Sequence, residues 1–424
     1  MIEKSFPVPA SSRYMLRFPL SSLKKGGKIN GVHLAHMKEE DGAFVCAEGT
    51  TLRYSSIARF ENLFVTEHRV FAGITRVLYV FEGSKRFNGP QDLVSAVDYY
   101  NKDGTWDTYV VGKNMSYRLT ENMVKAGRNM GGTCLARHFE RLYFGKENTL
   151  YYSEPMYYDA WDYATYKSGE IALPYEYGNI IGLVSFQGKL YLFFERGISV
   201  LTAYADPLDF KLQALPFVFG TNKERTFANC GEAVYFFTER GLCKLTAAGV
   251  TLVEDADIGD IDFQQPVSAA CHHGKYYASV CNKQGERIAY CYDGVTERGS
   301  YIGHVCEKIG ANDTLYISSS IYVYELSGKS FPTVGECALS VDFALEGAVG
   351  KRELLESVGV DGTGDITAIL TNARGECVMV KGECGKKLRL PRAFGGEKLR
   401  LKILPADEEF AIRGLSFEVR RDEA

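Results

Sequence analysis

Tyr191-Leu-Phe-Phe-Glu-Arg-Gly-Ile-Ser-Val-Leu-Thr-Ala203 recurs 44 residues further along the chain as Tyr235-Phe-Phe-Thr-Glu-Arg-Gly-Leu-Cys-Lys-Leu-Thr-Ala247. Eight of the thirteen positions are identical, and each copy has two short apolar runs on either side of Glu-Arg-Gly. Aromatic and β-branched residues favour strands, and glycine supplies the positive φ that a tight hairpin turn needs. Each copy therefore predicts a β-hairpin, with Glu195-Arg196-Gly197 and Glu239-Arg240-Gly241 in equivalent turns of adjacent repeats.

A repeat of this length is typical of one four-stranded propeller blade. Similar hairpin-like units occur along the chain, and their equivalent aromatic residues are separated by 55, 44, 48, 44, 42 and 39 residues. These residues are Phe44, Tyr99, Tyr143, Tyr191, Tyr235, Tyr277 and Tyr316. The long first interval contains a further apolar stretch from Val70 to Phe81 that could form an eighth blade. We therefore expect an all-β chain with a β-propeller of about seven blades (roughly six to eight), because a closed ring leaves few strand edges exposed.

The pattern differs at the two ends of the chain. Residues 1–40 are weakly patterned and are interpreted as an N-terminal arm or outer strand. Hairpin units fill residues 41–346, which we assign to the propeller. From about Gly347 the chain has longer alternating segments, such as Lys398-Leu-Arg-Leu-Lys-Ile403, with one apolar and one cationic face. Residues 347–424 are therefore predicted to form a small C-terminal β-sandwich.

Composition excludes several classes of protein. A net charge of −4 over 424 residues argues against a free nucleic-acid binder. No run approaches the ~18 apolar residues of a membrane helix, so no membrane contact is expected, and the N-terminus lacks the apolar core of a signal peptide. The eleven cysteines are scattered rather than arranged as a disulfide framework. We expect reduced thiols in a protein made in a cytosol.

Three segments are similar to one known family. Thr149-Leu-Tyr-Tyr-Ser-Glu-Pro-Met-Tyr-Tyr-Asp-Ala-Trp161 resembles a segment of β-propeller proteins in bacteriophage tails, and Ile180 to Leu201 resembles the blade that follows it. Leu388-Arg-Leu-Pro through Ile412-Arg-Gly-Leu-Ser-Phe-Glu-Val419 is similar to their C-terminal sandwich. The family is the tail nozzle and DNA-stabilisation proteins of short-tailed phages. The similarity covers residues 130–250 well and 347–420 loosely.

The resemblance implies a structural virion protein. It would be one subunit of a homo-oligomeric ring around the DNA exit channel, assembled in the cytoplasm of a bacterial host. Its partners would be other tail or portal proteins, and its function would reside in interfaces, with no enzymatic activity, cofactor or metal. Two alternatives remain open: a glycan-binding or glycoside-hydrolysing propeller, and an intracellular scaffold propeller that binds host proteins.

Candidate chemical motifs are weak. Asn101-Lys-Asp-Gly-Thr-Trp106 is the fragment nearest to the Asp-box of sialidase-like propellers, but it occurs once and lacks the spacers around glycine, which favours a plain turn. Asp255-Ala-Asp-Ile-Gly-Asp-Ile-Asp262 has its glycine one position early for a calcium loop. Cys271, His272 and His273, with Cys281 and Cys291, match no zinc spacing. Trp161 and Tyr157 could bind sugar, although packing is the commoner role of such residues.

One local charge feature departs from the acidic average. Between Lys381 and Lys402 there are eight basic residues against two acidic ones, Glu383 and Glu397. The cations are Lys381, Lys386, Lys387, Arg389, Arg392, Lys398, Arg400 and Lys402. Side chains alternate along a strand, so Lys398, Arg400 and Lys402 should share one face. We predict that this basic stripe contacts DNA phosphates without reading sequence or an acidic protein partner; a solvated sheet face is the alternative.

Overall fold

The computed structural model describes residues 12–423 except 21–28, 36, 47–49, 75–76, 82–84, 89–91, 102, 121–123, 127–130, 158–160, 162–166, 205, 254–260, 263–267, 283–284, 286, 303–305, 327–336, 346–350, 397 and 407–408. The described structure consists of forty β-strands and two short 3-10 helices, Tyr175–Tyr177 and Pro207–Asp209. The all-β prediction is therefore confirmed.

The strands follow one another with short connections. The first thirteen are β1 (Ser12–Pro19), β2 (Ile29–Ala35), β3 (Met37–Glu40), β4 (Ala43–Cys46), β5 (Thr50–Ser55), β6 (Asn62–Val65), β7 (Val70–Ile74), β8 (Val77–Val80), β9 (Lys85–Asn88), β10 (Leu93–Tyr100), β11 (Trp106–Gly112), β12 (Ser116–Leu119) and β13 (Val124–Ala126). The next thirteen are β14 (Cys134–His138), β15 (Arg141–Lys146), β16 (Thr149–Tyr152), β17 (Gly169–Ala172), β18 (Ile180–Phe186), β19 (Lys189–Phe194), β20 (Gly197–Thr202), β21 (Lys211–Leu215), β22 (Ala228–Asn229), β23 (Val234–Thr238), β24 (Gly241–Thr246), β25 (Gly249–Leu252) and β26 (Ile261–Asp262). The last fourteen are β27 (Ser268–His272), β28 (Lys275–Asn282), β29 (Arg287–Asp293), β30 (Arg298–Ile302), β31 (Lys308–Ala311), β32 (Leu315–Ser319), β33 (Tyr322–Leu326), β34 (Ala338–Phe343), β35 (Lys351–Thr363), β36 (Asp365–Asn372), β37 (Cys377–Glu383), β38 (Lys387–Phe394), β39 (Leu399–Pro405) and β40 (Ala411–Glu423).

These strands form two compact units. The propeller unit comprises Thr50–Glu297 and His304–Ser327, and the sandwich unit comprises Met1–Gly49, Arg298–Gly303 and Gly328–Ala424. The division differs from the expected boundaries at residues 41 and 347. The N-terminal 49 residues belong with the C-terminal sandwich because their strands pair there rather than in the ring.

The propeller unit contains seven antiparallel sheets, which we call blades 1 to 7. Blades 1 to 5 are the meanders β6–β9, β10–β13, β14–β17, β18–β21 and β22–β25. In blade 6, β28 pairs with β27, β29 and the short β26. In blade 7, β31, β32 and β33 are completed by β5 from the N-terminal side of the ring. The first strands of neighbouring blades contact one another all the way round, including β31 of blade 7 with β6 of blade 1. The chain therefore forms a closed seven-bladed β-propeller.

The predicted blade count is confirmed, but the predicted contents of the first blade are wrong. Phe44 lies in β4 of the sandwich unit, where it pairs with Ile412, so the segment Ala43–Tyr54 is not a blade. The apolar stretch from Val70 to Phe81, expected as a possible eighth blade, instead supplies β7 and β8 of blade 1. Tyr143, Tyr191, Tyr235, Tyr277 and Tyr316 all lie in the second strand of their blade, whereas Tyr99 lies in a first strand.

Packing between blades is aromatic. Phe193 of blade 4 lies 5.0 Å from Phe236 of blade 5, edge to face, and Phe227 fills the space beside both rings. Phe193 and Phe236 are fully buried in one cluster shared by the two blades. Such ring pairs contribute about 0.5–1.5 kcal/mol beyond the area that they bury. The high Phe and Tyr content is thus explained by the interfaces between successive sheets.

The repeated Glu-Arg-Gly has the same structural role in blades 4 and 5. Both copies form the turn between the second and third strands, as predicted from the sequence. In blade 4 the Glu195 amide donates to the Asn179 carbonyl at 3.0 Å, and in blade 5 the Glu239 amide donates to the Thr221 carbonyl at 3.0 Å. The repeated glutamates therefore attach each turn to the segment that enters the same blade.

The repeated glycines are required for different reasons. Gly241 has a φ of 129°, which favours glycine, as expected. Gly197 lies outside the positive-φ region, so the expectation of a positive φ there is wrong. A Cβ at Gly197 would instead lie 2.6 Å from Cδ1 of Tyr177, a distance that side chains do not tolerate without a shift.

We expect Gly197→Ala to destabilise the protein by about 1–3 kcal/mol, because the added methyl group overpacks the Tyr177 ring. Gly73→Ala is the matched control, since Gly73 also lies in a blade strand and its added Cβ would meet nothing within 4 Å. The control should be neutral or slightly stabilising, since alanine restricts the unfolded chain. Urea unfolding followed by tryptophan fluorescence compares the two midpoints; equal midpoints would show that Tyr177 moves away at no cost.

The sandwich unit consists of two sheets packed face to face. One sheet has the order β3-β4-β40-β35-β38, with β1 along β40, and the other contains β30-β2-β34-β39-β36-β37. The rings of Phe343 from the second sheet and Phe417 from the first are stacked at 4.6 Å. Both sheets contribute to one buried apolar cluster. The predicted sandwich is present, and β1 is an outer strand of it, paired from Ser12↔Arg421 to Pro19↔Gly414.

Candidate interaction surface

The two ends of the propeller differ in chemistry. Each blade is an antiparallel meander, so the turns between first and second strands all lie at one end of the ring. We call this the hairpin end; the connections between third and fourth strands lie there too. We call the opposite end, where the first strands begin, the strand-start end.

Hydrogen bonds connect neighbouring blades around the hairpin end. Asn312 of blade 7 donates from Nδ2 to the Thr66 carbonyl of blade 1 at 3.2 Å. The His68 amide of blade 1 then donates to Oδ2 of Asp98 in blade 2 at 2.8 Å. The Tyr99 hydroxyl of blade 2 donates to the Glu140 carbonyl of blade 3 at 2.6 Å. These bonds join three consecutive blade boundaries.

The remaining boundaries are joined in the same way. His138 Nδ1 of blade 3 lies 2.8 Å from Ser185 Oγ of blade 4, and Asn229 of blade 5 donates from Nδ2 to the Ser185 carbonyl at 2.9 Å. The thiols of Cys230 and Cys271 interact between blades 5 and 6. His272 Nδ1 of blade 6 is 3.4 Å from the Asn312 carbonyl of blade 7, which returns to the starting residue. Six of the seven boundaries thus have a hydrogen bond at the hairpin end, and the Cys230 and Cys271 side chains are neighbours at the seventh.

Among the residues that bond the blade boundaries, His138 has a pKa that burial lowers. Its side chain is 1% exposed, and burial lowers its pKa to about 4. The Nε2 atom has no hydrogen-bond partner among the described residues, so a proton there would be buried without an acceptor. The neutral imidazole is therefore the stable form.

Stability should depend on pH through His138. Because the unfolded imidazole titrates near pH ~6.5 and the folded one near about 4, the unfolded state binds the extra proton between these values. The contribution of His138 to the free energy of unfolding is fully present above the unfolded-state pKa. It is lost progressively as the pH falls towards the folded-state pKa. We expect His138→Asn, which can retain the bond to Ser185, to lose less thermal stability than wild type between pH 7.5 and 4.5. Parallel melting curves for the two proteins would contradict this.

A polar network buried beneath the hairpin end fixes the position of blade 2 against blade 1. Arg69 donates from Nη1 to Thr108 Oγ1 at 2.7 Å and to the Leu119 carbonyl at 2.8 Å. Thr108 in turn donates to Asp98 Oδ1 at 2.6 Å. Asp98 and Thr108 are buried, so both carboxylate oxygens of Asp98 are used inside the protein. This carboxylate orders the structure and is not presented to a substrate.

The Asp-box-like fragment forms the turn between β10 and β11, as expected. The Asn101 amide donates to the Thr105 carbonyl at 2.8 Å, and Asp103 Oδ1 accepts from the Thr105 amide at 3.1 Å. Gly104 has a φ of 85°, which suits a tight turn. Asp107 accepts from Asn101 Nδ2 at 2.5 Å and from Arg118 Nε at 2.6 Å. Asp103 of the fragment and the following Asp107 are therefore both engaged in hydrogen bonds of the turn and its flanking strands.

Aromatic residues are exposed at the hairpin end of blades 2 to 4. Phe139 and Tyr204 are 51% and 70% exposed, and their rings meet edge to face at 5.4 Å. Tyr100 is 43% exposed and lies 5.1 Å from Trp106. Leu208 is also exposed in the same connection as Tyr204. We call Tyr100, Trp106, Phe139, Tyr204 and Leu208 the aromatic surface.

Phe139 has an unusual backbone. Its φ is 50°, a left-handed conformation that bulky side chains rarely adopt. Residues held there cost of order 1–3 kcal/mol and cluster at functional sites. The Phe139 ring contacts the rings of His138 at 4.3 Å and Tyr204 at 5.4 Å, and about half of the residue remains exposed to solvent.

Trp106 is surrounded by residues from three blades. The guanidinium of Arg137 in blade 3 lies over the Trp106 ring of blade 2 at 5.1 Å, and the His68 ring of blade 1 is 4.6 Å away. Arg137 also forms an ion pair with Glu67 at 3.6 Å. One face of the indole is therefore covered by a cation, which fixes the ring as part of a rigid surface.

The eight cations of the basic stripe do not form one patch. Lys387, Arg389 and Arg392 lie on the exposed face of β38, whose alternate residues Leu388 and Leu390 are buried. Lys381 lies in β37, and Arg400 and Lys402 lie in β39, in the other sheet of the sandwich. The chain crosses from one sheet to the other between these strands, so the two groups face away from the shared core.

The expected alternation of β39 is confirmed. Leu399, Leu401 and Ile403 are buried, while Lys398, Arg400 and Lys402 are exposed. Arg400 makes a two-pronged ion pair with Asp342, at 2.7 Å and 2.9 Å. Lys387 pairs with Glu418 at 2.6 Å, and Lys386 pairs with Glu383 at 2.5 Å. Three of the eight cations are thus already neutralised by the fold, and Glu397 lies outside the described residues.

The other candidate sites are placed as follows. Residues 255–260 of the acidic loop lie outside the described residues. Within the part of the chain that the structure describes, no three His, Cys, Asp or Glu side chains converge as metal ligands would. Trp161 is buried between blades 2 and 3, 4.9 Å from Phe144, whereas Tyr157 is exposed. None of the eleven cysteines forms a disulfide bond among the described residues, and Cys377 is the exposed one. Because Trp161 is buried against Phe144, it is a packing residue of the core.

Comparison with known proteins gives fold-level similarities alone. No protein family profile matches the chain, and no curated protein matches it. The extracellular domain of a putative hybrid two-component system from B. thetaiotaomicron aligns with 12% identity and a TM-score of 0.43, covering 81% of this chain, which spans 45% of that one. The WD40 domain of SCAP from fission yeast aligns with 10% identity and a TM-score of 0.35, covering 94% and 99% of the two chains.

The propeller assignment rests on the sheet order and on the pairing of β5 with β33. In the described residues, no helix has the length and apolar character required to cross a membrane.

Proposed function

We propose that the chain is a non-enzymatic structural subunit that acts through protein interfaces, and that it forms a homo-oligomeric ring in a phage tail or neck around the DNA exit channel. The resemblance of residues 130–250 and 347–420 to tail nozzle proteins supports the specific setting. Other tail or portal proteins are its further partners in this proposal, and the virion is its location.

The observation that carries an interface role is Phe139 in the aromatic surface. The propeller holds an aromatic side chain in a conformation that is unfavourable for it, yet leaves half of it in water. Protein interfaces are enriched in aromatic and arginine residues, which act when a partner excludes water from them. The hydrogen-bonded hairpin end beneath Phe139 and Tyr204 would keep this surface ordered before the partner arrives.

A glycan-binding role is the alternative that the aromatic surface also raises. Sugar rings stack on open aromatic faces, but Arg137 already covers one face of Trp106. The Asp98 and Asp107 carboxylates nearby are consumed by internal hydrogen bonds. A protein partner that contacts Phe139, Tyr204 and Leu208 from above fits these constraints better. Sustained glycoside hydrolysis that a single Asp or Glu substitution abolishes would overturn the non-enzymatic proposal.

Phe139→Asn separates the role of the side chain from that of the backbone. Asparagine tolerates the left-handed conformation, so the variant should fold with equal or higher stability. We expect its self-association to weaken at least about tenfold, because a hot-spot residue at an interface contributes about 2 kcal/mol or more. Sedimentation velocity over a range of protein concentrations measures the association, and thermal melting measures the fold.

Tyr175→Asn is the matched control, because Tyr175 is 80% exposed in the connection between blades 3 and 4 at the strand-start end. It should associate like wild type. A wild-type chain that stays monomeric at high micromolar concentration would contradict the ring, and unchanged association of Phe139→Asn would remove the aromatic surface from the interface.

The basic stripe predicts a second, salt-sensitive contact. Lys398 and Lys402 have no ion-pair partner among the described residues, whereas Arg400 is paired with Asp342. We expect Lys398→Ser with Lys402→Ser to weaken assembly or DNA retention at low salt, with a smaller difference at high salt. Lys386→Ser is the control, because its charge is already neutralised by Glu383. If the double variant assembles and retains DNA like wild type at low salt, the stripe is a solvated face.

A further inference from the structure

The strand-start end of the propeller contains a turn of fixed and strained geometry. Residues 223–226 lead into β22 of blade 5, and Thr226 is fully buried at the base of the turn. Its hydroxyl donates to the Lys223 carbonyl at 2.8 Å and accepts from the Phe237 amide at 3.0 Å. The Tyr276 hydroxyl donates to the Thr226 carbonyl at 2.8 Å. These bonds hold Arg225 at a φ of 60°, which is unfavourable for arginine.

The Arg225 side chain reaches a blade that is not adjacent to its own. Its Nη1 atom lies 3.3 Å from Oδ1 of Asn62, the first residue of β6 in blade 1. Blades 6 and 7 lie between blade 5 and blade 1 around the ring. The guanidinium therefore extends across the strand-start end, and its acceptor is a neutral amide. Burial lowers the pKa of Arg225, with the adjacent Glu224 acting in the opposite direction.

Lys308 approaches the same position from blade 7. It begins β31, the first strand of that blade, beside β6 of blade 1. Gly310 of β31 lies so close to Val65 of β6 that a Cβ would be 2.7 Å from Cγ2. Lys308 and Asn62 are thus at the starts of two closely packed neighbouring strands. Burial, then Arg225, then Arg287 lower the pKa of Lys308, which places three cations within electrostatic range of one another.

The carboxylates next to Arg225 and Lys308 in the sequence face solvent or bind other groups. Glu307, the neighbour of Lys308, accepts from Arg59 Nη2 at 2.8 Å and from the Ser320 amide at 3.2 Å. Glu224 is exposed. Among the described residues, neither Arg225 nor Lys308 has a carboxylate within ion-pair distance. Arg225 and Lys308 carry like charges that are partly removed from water, so they repel each other.

We propose that Arg225 and Lys308, with Arg287 beside them, form a binding site for a phosphate-like oxyanion at the strand-start end of the propeller. Arginine presents a planar fork of donors that matches phosphate oxygens, and lysine adds a compact charge. Asn62 orients the guanidinium through its Oδ1 atom, and the strained turn fixes the Arg225 backbone. The site needs no catalytic residue and is independent of the phage-tail proposal, because it lies in blades 5 to 7 and 1 rather than on the aromatic surface.

Inorganic phosphate is the first probe. We expect it to bind the full-length chain with a millimolar or tighter Kd by calorimetry, and to raise the melting temperature above that in chloride at the same ionic strength and pH. Lys308→Met should weaken phosphate binding at least tenfold. In chloride the same variant should melt at or above the wild-type temperature, because one of the repelling charges is gone. Lys211→Met, which removes an exposed cation from β21 in blade 4, is the control and should bind phosphate like wild type.

A short single-stranded oligonucleotide identifies the source of the anion. If it displaces phosphate and binds more tightly, and Lys308→Met weakens both, the site takes phosphates of a nucleic acid. If phosphate binds but the oligonucleotide does not displace it, the site takes a small free anion. Phosphate that stabilises no better than matched chloride overturns the proposal, and so does equal phosphate affinity in wild type and Lys308→Met. Neither result depends on self-association, so the proposed ring can fail or stand separately.

Discussion

The pairing of β5 with β33 is the interaction on which the propeller depends. Thr50–Ser55 and Tyr322–Leu326 are separated by most of the chain, yet they pair from Thr50↔Leu326 to Tyr322↔Ser55. Without β5 the last blade would have three strands and an unpaired edge, although Asn312 and Val323 of blade 7 would still contact blade 1. The stacked rings of Tyr54 in β5 and Phe81 in blade 1, 4.0 Å apart, add a side-chain contact across the same boundary. The ring is thus held shut by hydrogen bonds between segments distant in sequence.

This closure also explains which parts of the fold the sequence could predict. Alternation, turn residues and aromatic spacing identified the hairpins of blades 2 to 7, because each is a local pairing between consecutive strands. Ala43–Tyr54 has the same local pattern, but its two halves separate: β4 pairs with β3 and β40, and β5 pairs with β33. A strand's own residues determine that it is a strand and which face is apolar, but not which distant strand it joins. The first blade and the N-terminal boundary were therefore beyond local reasoning.

The same limit applies to the candidate sites. The basic stripe is continuous in sequence, but the chain changes sheets between β37, β38 and β39, so its charges are distributed over two outer faces. The aromatic surface and the cation cluster are discontinuous in sequence, because each consists of single residues from several blades that the fold brings to one end of the ring. The histidines gave one sequence signal for the hairpin end. Four of the seven occur at or beside the turns between first and second strands: His68, His138, His272 and His273. Alignment of the repeats could have placed those turns together, although not Arg225 beside Asn62.

Residues with strained backbone conformations occur at both ends of the propeller. Ten described residues other than glycine have positive φ, and most are small or polar side chains in tight turns, which tolerate it best. Phe139 and Met156 are the large apolar residues among these ten, and Arg225 is a cation at the end of the ring opposite Phe139. Phe139 and Arg225 each carry a second cost: exposed apolar area for Phe139, and for Arg225 a charge with no carboxylate within ion-pair distance among the described residues. A rigid propeller with bonded blade boundaries can bear both costs, because strain persists where the surrounding structure over-determines it. Natural proteins retain local costs of this kind at functional sites, and on this ground we propose a protein partner for the ring of Phe139 and an oxyanion for the guanidinium of Arg225.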